Sequence, residues 1–393
     1  MTFIDLFAGV GGFRKGLELA GHKCIGFCEY DKYAIASYTS MHLLTEEQRK
    51  YLSGLSKSDR QKEILNEEYR NGEWFARDIR EVRGDTIPKA DCWTFGSPCQ
   101  SFSLAGCRTG LGGESGLIRE VFRILAEQKE DDRPEWLIHE NVKGEFTSNK
   151  GFDYLAVLSE LDALGYDAEW CLFDSKNFRT AQSRERVYTV GHLRTRGSKH
   201  IFPLEEADRQ VSSQTIKQVG QRNTDKRKNL NQYRVYDPSG LAPCLNKMEG
   251  GGREPHIIVP VRFNTMPDGT SRTIKNQYQK NNSLNFGAST GARAASAALN
   301  LISGDKGDDT ITVIAKDGKP FQAFWNDKLN SYIAIRKLTP KECFRLQSWS
   351  DDYFERAEFV NSNSQLFKQA GNGVTVNVVQ AIGEALNIWK TKS

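Results

Sequence analysis

Thr2 to Phe7 is a short apolar run that breaks at once into Ala8-Gly9-Val10-Gly11-Gly12. Phe13 to Ala20 then places Phe13 and Leu17 four apart on one helical face, with Gly21 as a C-cap. Lys23 to Cys28 returns as a second apolar run and ends at Glu29. A strand, a glycine turn, a helix and a strand closed by an acid about twenty residues on make a nucleotide-binding unit. Such a unit commits the chain to a doubly wound, mostly parallel α/β sheet with its site at the carboxyl ends of the strands. The glycines let the backbone approach a ligand, and the acid accepts hydrogen bonds from ribose hydroxyls. Gly9, Gly11 and Gly12 are not spaced as a phosphate-cradling Gly-x-Gly-x-x-Gly, which disfavours a dinucleotide and suits a ribose-bearing ligand without pyrophosphate. Glycine turns also serve purely structural ends; the acid at the right distance favours the ligand.

Further acids and one cysteine fall at strand ends. Leu43 to Glu73 is polar and rich in helix formers, and reads as a solvated helical insertion. Asp78-Ile79 follows near a strand end. Cys92-Trp93-Thr94-Phe95 reads as a buried strand leading into Gly96-Ser97-Pro98-Cys99-Gln100-Ser101. A thiol at a strand's carboxyl edge, after a proline and before a loop rich in Gly, Ser and Thr, is placed for nucleophilic attack. Leu117 to Gln128 reads as a helix with Val121, Ile124 and Leu125 on one stripe. Trp136 to His139 is another buried strand, and it ends in Glu140-Asn141-Val142. Cys99 and Glu140 are therefore expected as neighbours across adjacent strand ends. A helix is expected near Tyr154 to Leu164. If Gln182 to Tyr188 is a strand, its period of two sets Gln182, Arg184 and Arg186 on one face. Salt bridging is the plainer use of such an arginine pair.

From His200 the βα alternation stops. Gly, Asn, Ser and Thr become dense, and basic side chains such as Arg222, Lys226, Arg227, Arg234, Arg253, Arg262 and Arg272 outnumber acids. Tyrosines and asparagines are interleaved, as a surface that reads duplex DNA requires, although a solvated irregular domain has the same composition. Order returns near Ile335: Thr339, Pro340 and Glu342 form a capping-box helix start. Gln369 to Val376 reads as a turn before a final apolar helix. Eight cysteines scattered over 393 residues form no disulfide framework. Cys24 and Cys28 lack a second ligand pair, so no metal site is expected. No apolar run approaches the roughly 20 residues that span a bilayer, and the N-terminus lacks signal-peptide character. A cytoplasmic protein with no membrane association is expected.

Taken in order, these segments resemble the DNA (cytosine-5) methyltransferases. Asp5 to Gly12 looks like that family's S-adenosyl-L-methionine loop, Gly96-Ser97-Pro98-Cys99-Gln100 its nucleophile motif, and Glu140-Asn141-Val142 its glutamate motif. Gln182-x-Arg184-x-Arg186 resembles its arginine motif. Arg336 to Gln347 and Gly371-Asn372-Gly373-Val374 resemble its closing motifs, with Gly373 where serine is frequent. The resemblance implies a Rossmann-like catalytic domain over residues 1–199 and 336–393, with a smaller, irregular target-recognition domain over 200–335. It implies that Cys99 attacks carbon 6 of a flipped-out cytosine, with Glu140, Arg184 and Arg186 as its catalytic partners. Pro98, Gln100, Ser101, Asn141 and Gln182 would line the substrate, and the loop from Ser101 to Gly116 would close over it. Phe7, Ala8, Gly9, Gly11, Gly12, Glu29, Asp78, Ile79, Leu117, Asn372 and Val374 would hold S-adenosyl-L-methionine. Double-stranded DNA is the implied partner of a monomer; a cognate restriction endonuclease is compatible with the family, though the sequence shows none. An RNA cytosine-5 methyltransferase shares the motifs, but the large basic segment favours DNA. A catalytically silent DNA-binding regulator would have a broken motif, whereas Cys99, Glu140 and Arg184 are all present.

Overall fold

The computed structural model describes residues 1–98, 114–204, 215–221, 234–246, 255–260, 264–265, 271–272, 310–314, 320–326 and 331–390. The chain divides into two compact units, Met1–Val211 with Cys343–Ser393, and Ser212–Glu342. The first opens with β1 (Thr2–Leu6), α1 (Gly12–Leu19), β2 (Lys23–Cys28) and α2 (Lys32–His42). Next come α3 (Glu46–Ser53), α4 (Lys57–Glu63), β3 (Trp74–Ala76), β4 (Cys92–Phe95) and α5 (Ile118–Glu127). β5 (Trp136–Val142), α6 (Phe152–Ala163), β6 (Tyr166–Asp174) and β7 (Glu185–Leu193) follow.

These strands make one seven-stranded sheet in the order β3-β2-β1-β4-β5-β7-β6. Neighbours from β3 to β5 are parallel, while β7 runs antiparallel to both β5 and β6. Apolar side chains alternate between its faces, as a pleated strand buried on both sides requires. Ile4, Leu6, Trp93, Phe95 and Leu137 join α5 and α6 residues in one core. Phe3, Cys92, Trp136 and Ile138 join Phe13 and Leu17 of α1, together with Val379 and Ile382, in the other. Cys24 and Cys28 pack along β2, where burial pushes both thiols up, Cys24 to about 12.

Three elements differ from the expectation. The Leu43–Glu73 insertion is helical, with a Thr45/Gln48 capping box, but it is not merely solvated. Leu52, Ile64 and Tyr69 build a small core with Ala36 and Val360, and the Arg60 guanidinium donates to the Phe359 carbonyl. β5 runs on through Glu140 to Val142, because β7 supplies partners for those residues. Gln182 and Arg184 precede β7 rather than lying within it.

The second unit contributes β8 (Gln218–Gln221), β9 (Arg234–Tyr236), β10 (His256–Pro260), β11 (Asn264–Thr265), β12 (Ser271–Arg272), β13 (Thr310–Ile314), β14 (Pro320–Asn326) and β15 (Ser331–Lys337). Six of them form a sheet ordered β13-β14-β15-β10-β9-β8, around Val235, Ile258, Phe324, Ile333 and Ile335. Irregularity was expected here; short strands separated by long polar stretches conceal the sheet in the sequence. The capping box at Thr339 and Glu342 forms in both directions, and Arg336 pairs with Glu342.

After α7 (Pro340–Arg345), the chain continues as α8 (Asp351–Glu358), α9 (Asn363–Asn372) and α10 (Val376–Lys390). Gln369 to Asn372, expected in a turn, belong to α9, so the turn begins only at Gly373. α10 lies against α1 at close range. A Cβ on Gly16 would stand 2.5 Å from the Val379 Cβ and 2.9 Å from the Val376 carbonyl oxygen. Among the described residues, no helix is long and apolar enough to cross a membrane. Gly16→Ala should cost about 1–3 kcal/mol through overpacking, measured as a lower urea midpoint with an unchanged slope.

Candidate active site

Strand order reverses between β1 and β4, since the chain first winds toward β3 and then toward β5. Loops leaving two such strands diverge, and the crevice between them is where open α/β sheets bind ligands. The glycine turn leaves β1 there, and Gly96-Ser97-Pro98 leaves β4 there.

The turn is held by main-chain hydrogen bonds and by Glu29. The Ala8 N–H donates to the Cys28 carbonyl and the Gly11 N–H to the Ala8 carbonyl. The Glu29 carboxylate accepts from the Gly9 N–H at 2.7 Å and from the Asp31 N–H at 2.8 Å. Phe7, Gly9 and Gly11 have positive φ, and a Cβ on Gly11 would stand 2.4 Å from His42 Nε2. A Cβ on Gly12 would meet Val374 at 2.6 Å, so Val374 lies against the turn as expected. Over Gly9, by contrast, there is nothing within 4 Å. The residues expected around a cofactor in this turn are thus brought together, with open space above Gly9.

The remaining cofactor candidates are placed unevenly. Asp78 caps the turn Ile79–Glu81 and binds Arg80, whose hydrogen bond holds the carboxyl below its usual range. The Ile79 side chain is buried in the core, which leaves only its backbone able to meet a ligand. Phe7 and Leu117 pack against that same core, and Asn372 is exposed at the end of α9. Tyr30 was not singled out from the sequence. It is 64% exposed beside Glu29, with the Arg77 guanidinium 5.8 Å from its ring. A large exposed aromatic directly after the acid that closes β2 was the available signal.

Cys99, Gln100 and Ser101 lie outside the described residues, as does most of the loop to Gly116; Pro98 is the last residue described before them. What leads to Cys99 is well defined. β4 pairs with β5 so that Phe95 faces His139, and a Cβ on Gly96 would lie 3.4 Å from Glu140 Oε2. Glu140 is buried, with Arg186 Nε 3.1 Å from its Oε1. The two arginines are separated in their contacts. The Arg184 guanidinium is buried and donates to the carbonyls of Gly371 (3.2 Å) and Gly373 (2.9 Å). Gln182 is buried as well; its Oε1 accepts from Gln347 at 3.5 Å. Asn141, expected at the substrate, is turned inward: its amide donates to Glu145 and its Oδ1 accepts from the Val142 N–H.

The profile of the C-5 cytosine-specific DNA methylase family matches residues 1–64 and 56–387. The chain belongs to that family. The orphan methyltransferase M.SPBetaI of Bacillus phage SPbeta is 27% identical over 489 aligned residues, 98% of this chain and 97% of the phage protein. A DNA-cytosine methyltransferase of Escherichia coli (strain K12) is 27% identical over 405 residues, covering 98% of this chain and 77% of that protein. In fold, the methylase resembles the S. pombe Dnmt2 methyltransferase, with TM-score 0.58 and 15% identity over 100% of both chains.

One buried acid beneath this methylase site carries a pH dependence. Asp5 is fully buried on β1, and burial raises its carboxyl from 3.8 to about 8 against the lowering effect of a hydrogen bond from Thr94. The folded state then binds the proton more tightly than the unfolded one. The stability this provides is complete below pH ~4 and is lost as pH rises toward ~8. Asp5→Asn should therefore raise the melting temperature at pH 8, by up to a few kcal/mol equivalent, and give no gain at pH 4. A constant difference across that range in differential scanning calorimetry would contradict the assignment.

Proposed function

We propose that this methylase transfers a methyl group from S-adenosyl-L-methionine to carbon 5 of a cytosine flipped out of duplex DNA, through a covalent adduct on Cys99. The observation that carries this reading is the meeting of Glu140 with Gly96, three residues before Cys99, at the strand-order reversal that also holds the glycine turn.

The residues present suit the cofactor. The backbone over Gly9 is open, Glu29 is fixed at the turn to receive ribose hydroxyls, and Tyr30 offers an exposed ring for an adenine face. Asp78 would accept from the adenine amine, beside the Ile79 backbone. Asn372 and Val374 would complete the pocket from the closing segment, and Gly373 adds no side chain there. When bound, S-adenosyl-L-methionine would supply an electrophilic methyl on a sulfonium.

The protein's groups then divide the work on the base. The Cys99 thiolate adds to carbon 6, forming an S–C bond and pushing electrons toward N3 and carbon 5. Glu140, as the acid, holds the proton at N3 that neutralises this charge. Arg186 orients the Glu140 carboxyl and presents positive charge to the adduct. Carbon 5, now enamine-like, would accept the methyl as its bond to the sulfonium sulfur breaks and a neutral thioether leaves; loss of the carbon 5 proton to a base then expels the Cys99 thiolate and restores the ring. Arg184 and Gln182 act at one remove, by holding the closing segment. The loop after Ser101, with Gln100, would cover the extruded base.

Sequence choice is assigned to the basic region between the arginine motif and the closing motifs. Exchange of residues 200–335 for a relative's segment should move the methylated sequence with it, read by bisulfite sequencing of host DNA. The chemistry is tested with duplex DNA containing 5-fluorocytosine, which has no carbon 5 proton to lose and so traps the adduct. Wild-type protein should form a complex stable to denaturant. Cys99→Ser should bind the same DNA yet trap none, and trapping by that variant would remove Cys99 as the nucleophile. Preference for a tRNA over the duplex would favour an RNA methyltransferase instead.

A further inference from the structure

Behind Glu140, on the opposite face of β5, lies a closed polar cluster that the chemistry above does not use. It comprises His139, Asn141, Glu145, Tyr154 and Thr189, all of them buried. His139 Nε2 is 3.1 Å from Glu145 Oε1, and His139 Nδ1 is 3.3 Å from the Phe95 carbonyl oxygen. The His139 ring stacks on Phe95 at 5.1 Å between centroids. Asn141 Nδ2 donates to the same Glu145 oxygen at 3.1 Å, and the Tyr154 and Thr189 hydroxyls bond each other at 2.8 Å.

The partners fix the protonation state. A carbonyl only accepts, as does an ionised carboxylate, so with Glu145 ionised both ring nitrogens of His139 donate, which is the imidazolium. Glu145 Oε2 is buried without a hydrogen-bond partner among the described residues, so its charge is tolerable only against an adjacent cation. Packed at the ring are Glu145 from the segment after β5 and Phe95 of β4; Glu140 acts on it only through space from the other face of β5, Thr189 of β7 is its cross-strand neighbour, and the Tyr154 phenol of α6 bonds Thr189. Burial alone would lower the His139 pKa; the charge and hydrogen bond of Glu145 outweigh it and hold the imidazolium above its ordinary range.

We propose that His139 is a positioning residue: locked as an imidazolium by Glu145, it grips the Phe95 carbonyl and sets the start of the segment that carries Cys99. The proposal rests on the reading of Cys99 as the nucleophile. Phe95 ends β4, and Gly96-Ser97-Pro98 leads from it to Cys99. A charge-assisted bond at this hinge ties that segment to β5, the strand that presents Glu140 on its other face. The backbone that leads to Cys99 is thereby registered against the strand that carries the acid, and attack on carbon 6 is sensitive to displacements of about an ångström.

Nitrogen-15 NMR of the imidazoles and the pH profile of kcat test this together. There are six histidines, and the resonances lost in His139→Gln assign the relevant ring. In wild type, both His139 nitrogens should carry protons at pH 7.5, and kcat should fall on the alkaline side as that ring titrates. Glu145→Gln should move the titration and the alkaline limb of kcat to lower pH together. His139→Gln should lose kcat by roughly tenfold or more while KM for DNA changes little. A neutral His139 ring at pH 7.5, or a Glu145→Gln profile superposing on wild type, overturns the proposal. Should both variants fail to fold, contacts of its ring protons with the Phe95 ring assign His139 in wild type, and that titration alone decides. Failure of wild type to trap 5-fluorocytosine DNA would tell instead against the methyltransferase reading, and the NMR result would stand independently.

Discussion

The reversal of strand order between β1 and β4 is the constraint on which the rest of this molecule depends. The two neighbouring parallel strands are followed by helices on opposite faces of the sheet, α1 after β1 and α5 after β4, and it is at such a divergence that open α/β sheets form a crevice. Glu29 then decides how the first loop behaves. By accepting from both the Gly9 and Asp31 N–H groups, its carboxylate pins a turn that no side chain of its own could stiffen. The segment leaving β4 starts out against β5, where Glu140 sits against Gly96 and His139 against Phe95. One strand thus controls both the acid and the approach to the thiol, from opposite faces of the same pleat.

Charges buried around this crevice are treated in contrasting ways. Arg14 on α1 is satisfied by a bidentate pair with Glu73, which ties the helical insertion to the N-terminal helix. Glu140 faces Arg186, and Glu145 faces His139. Among the described residues no cationic side chain is bonded to Asp5, and burial resolves its charge by holding the proton on. Paired charges fix geometry here, whereas the lone acid is simply neutralised.

Much of this was legible in the sequence because it is local. The run Thr2 to Glu29 declares strand, turn, helix and strand by periodicity and glycine placement alone, and the structure follows it nearly residue by residue. Cys92–Phe95 and Trp136–His139 were equally plain as apolar runs. What the sequence hid depends on partners distant in the chain. β5 extends through Glu140 only because β7 lies beside it, and nothing in Glu140-Asn141-Val142 announces that neighbour. The insertion reads as solvated because its core borrows Ala36 and Val360 from other segments. His139 passed as one polar residue in a buried strand, since its meaning lies in Glu145, six positions on, folding back beneath it.

The arginine motif shows how a motif can be read correctly and its residues still be assigned too uniformly. Arg184 and Arg186 are two apart in sequence, yet their guanidinium groups serve different parts of the first unit. Arg186 meets Glu140, while Arg184 reaches the carbonyls at the end of α9 and in the turn before α10. Gln347 reinforces that turn: its amide donates to the Ala370 carbonyl, and its Oε1 accepts from the Thr375 hydroxyl. Gly373 sits within this cradle and Val374 lies against Gly12, so the closing segment and the glycine turn are packed together. A segment near the C-terminus thereby shapes the floor of a pocket built at the N-terminus. α1 and α10 continue that contact beyond the turn, because Gly16 puts no Cβ between them where Val376 and Val379 pack.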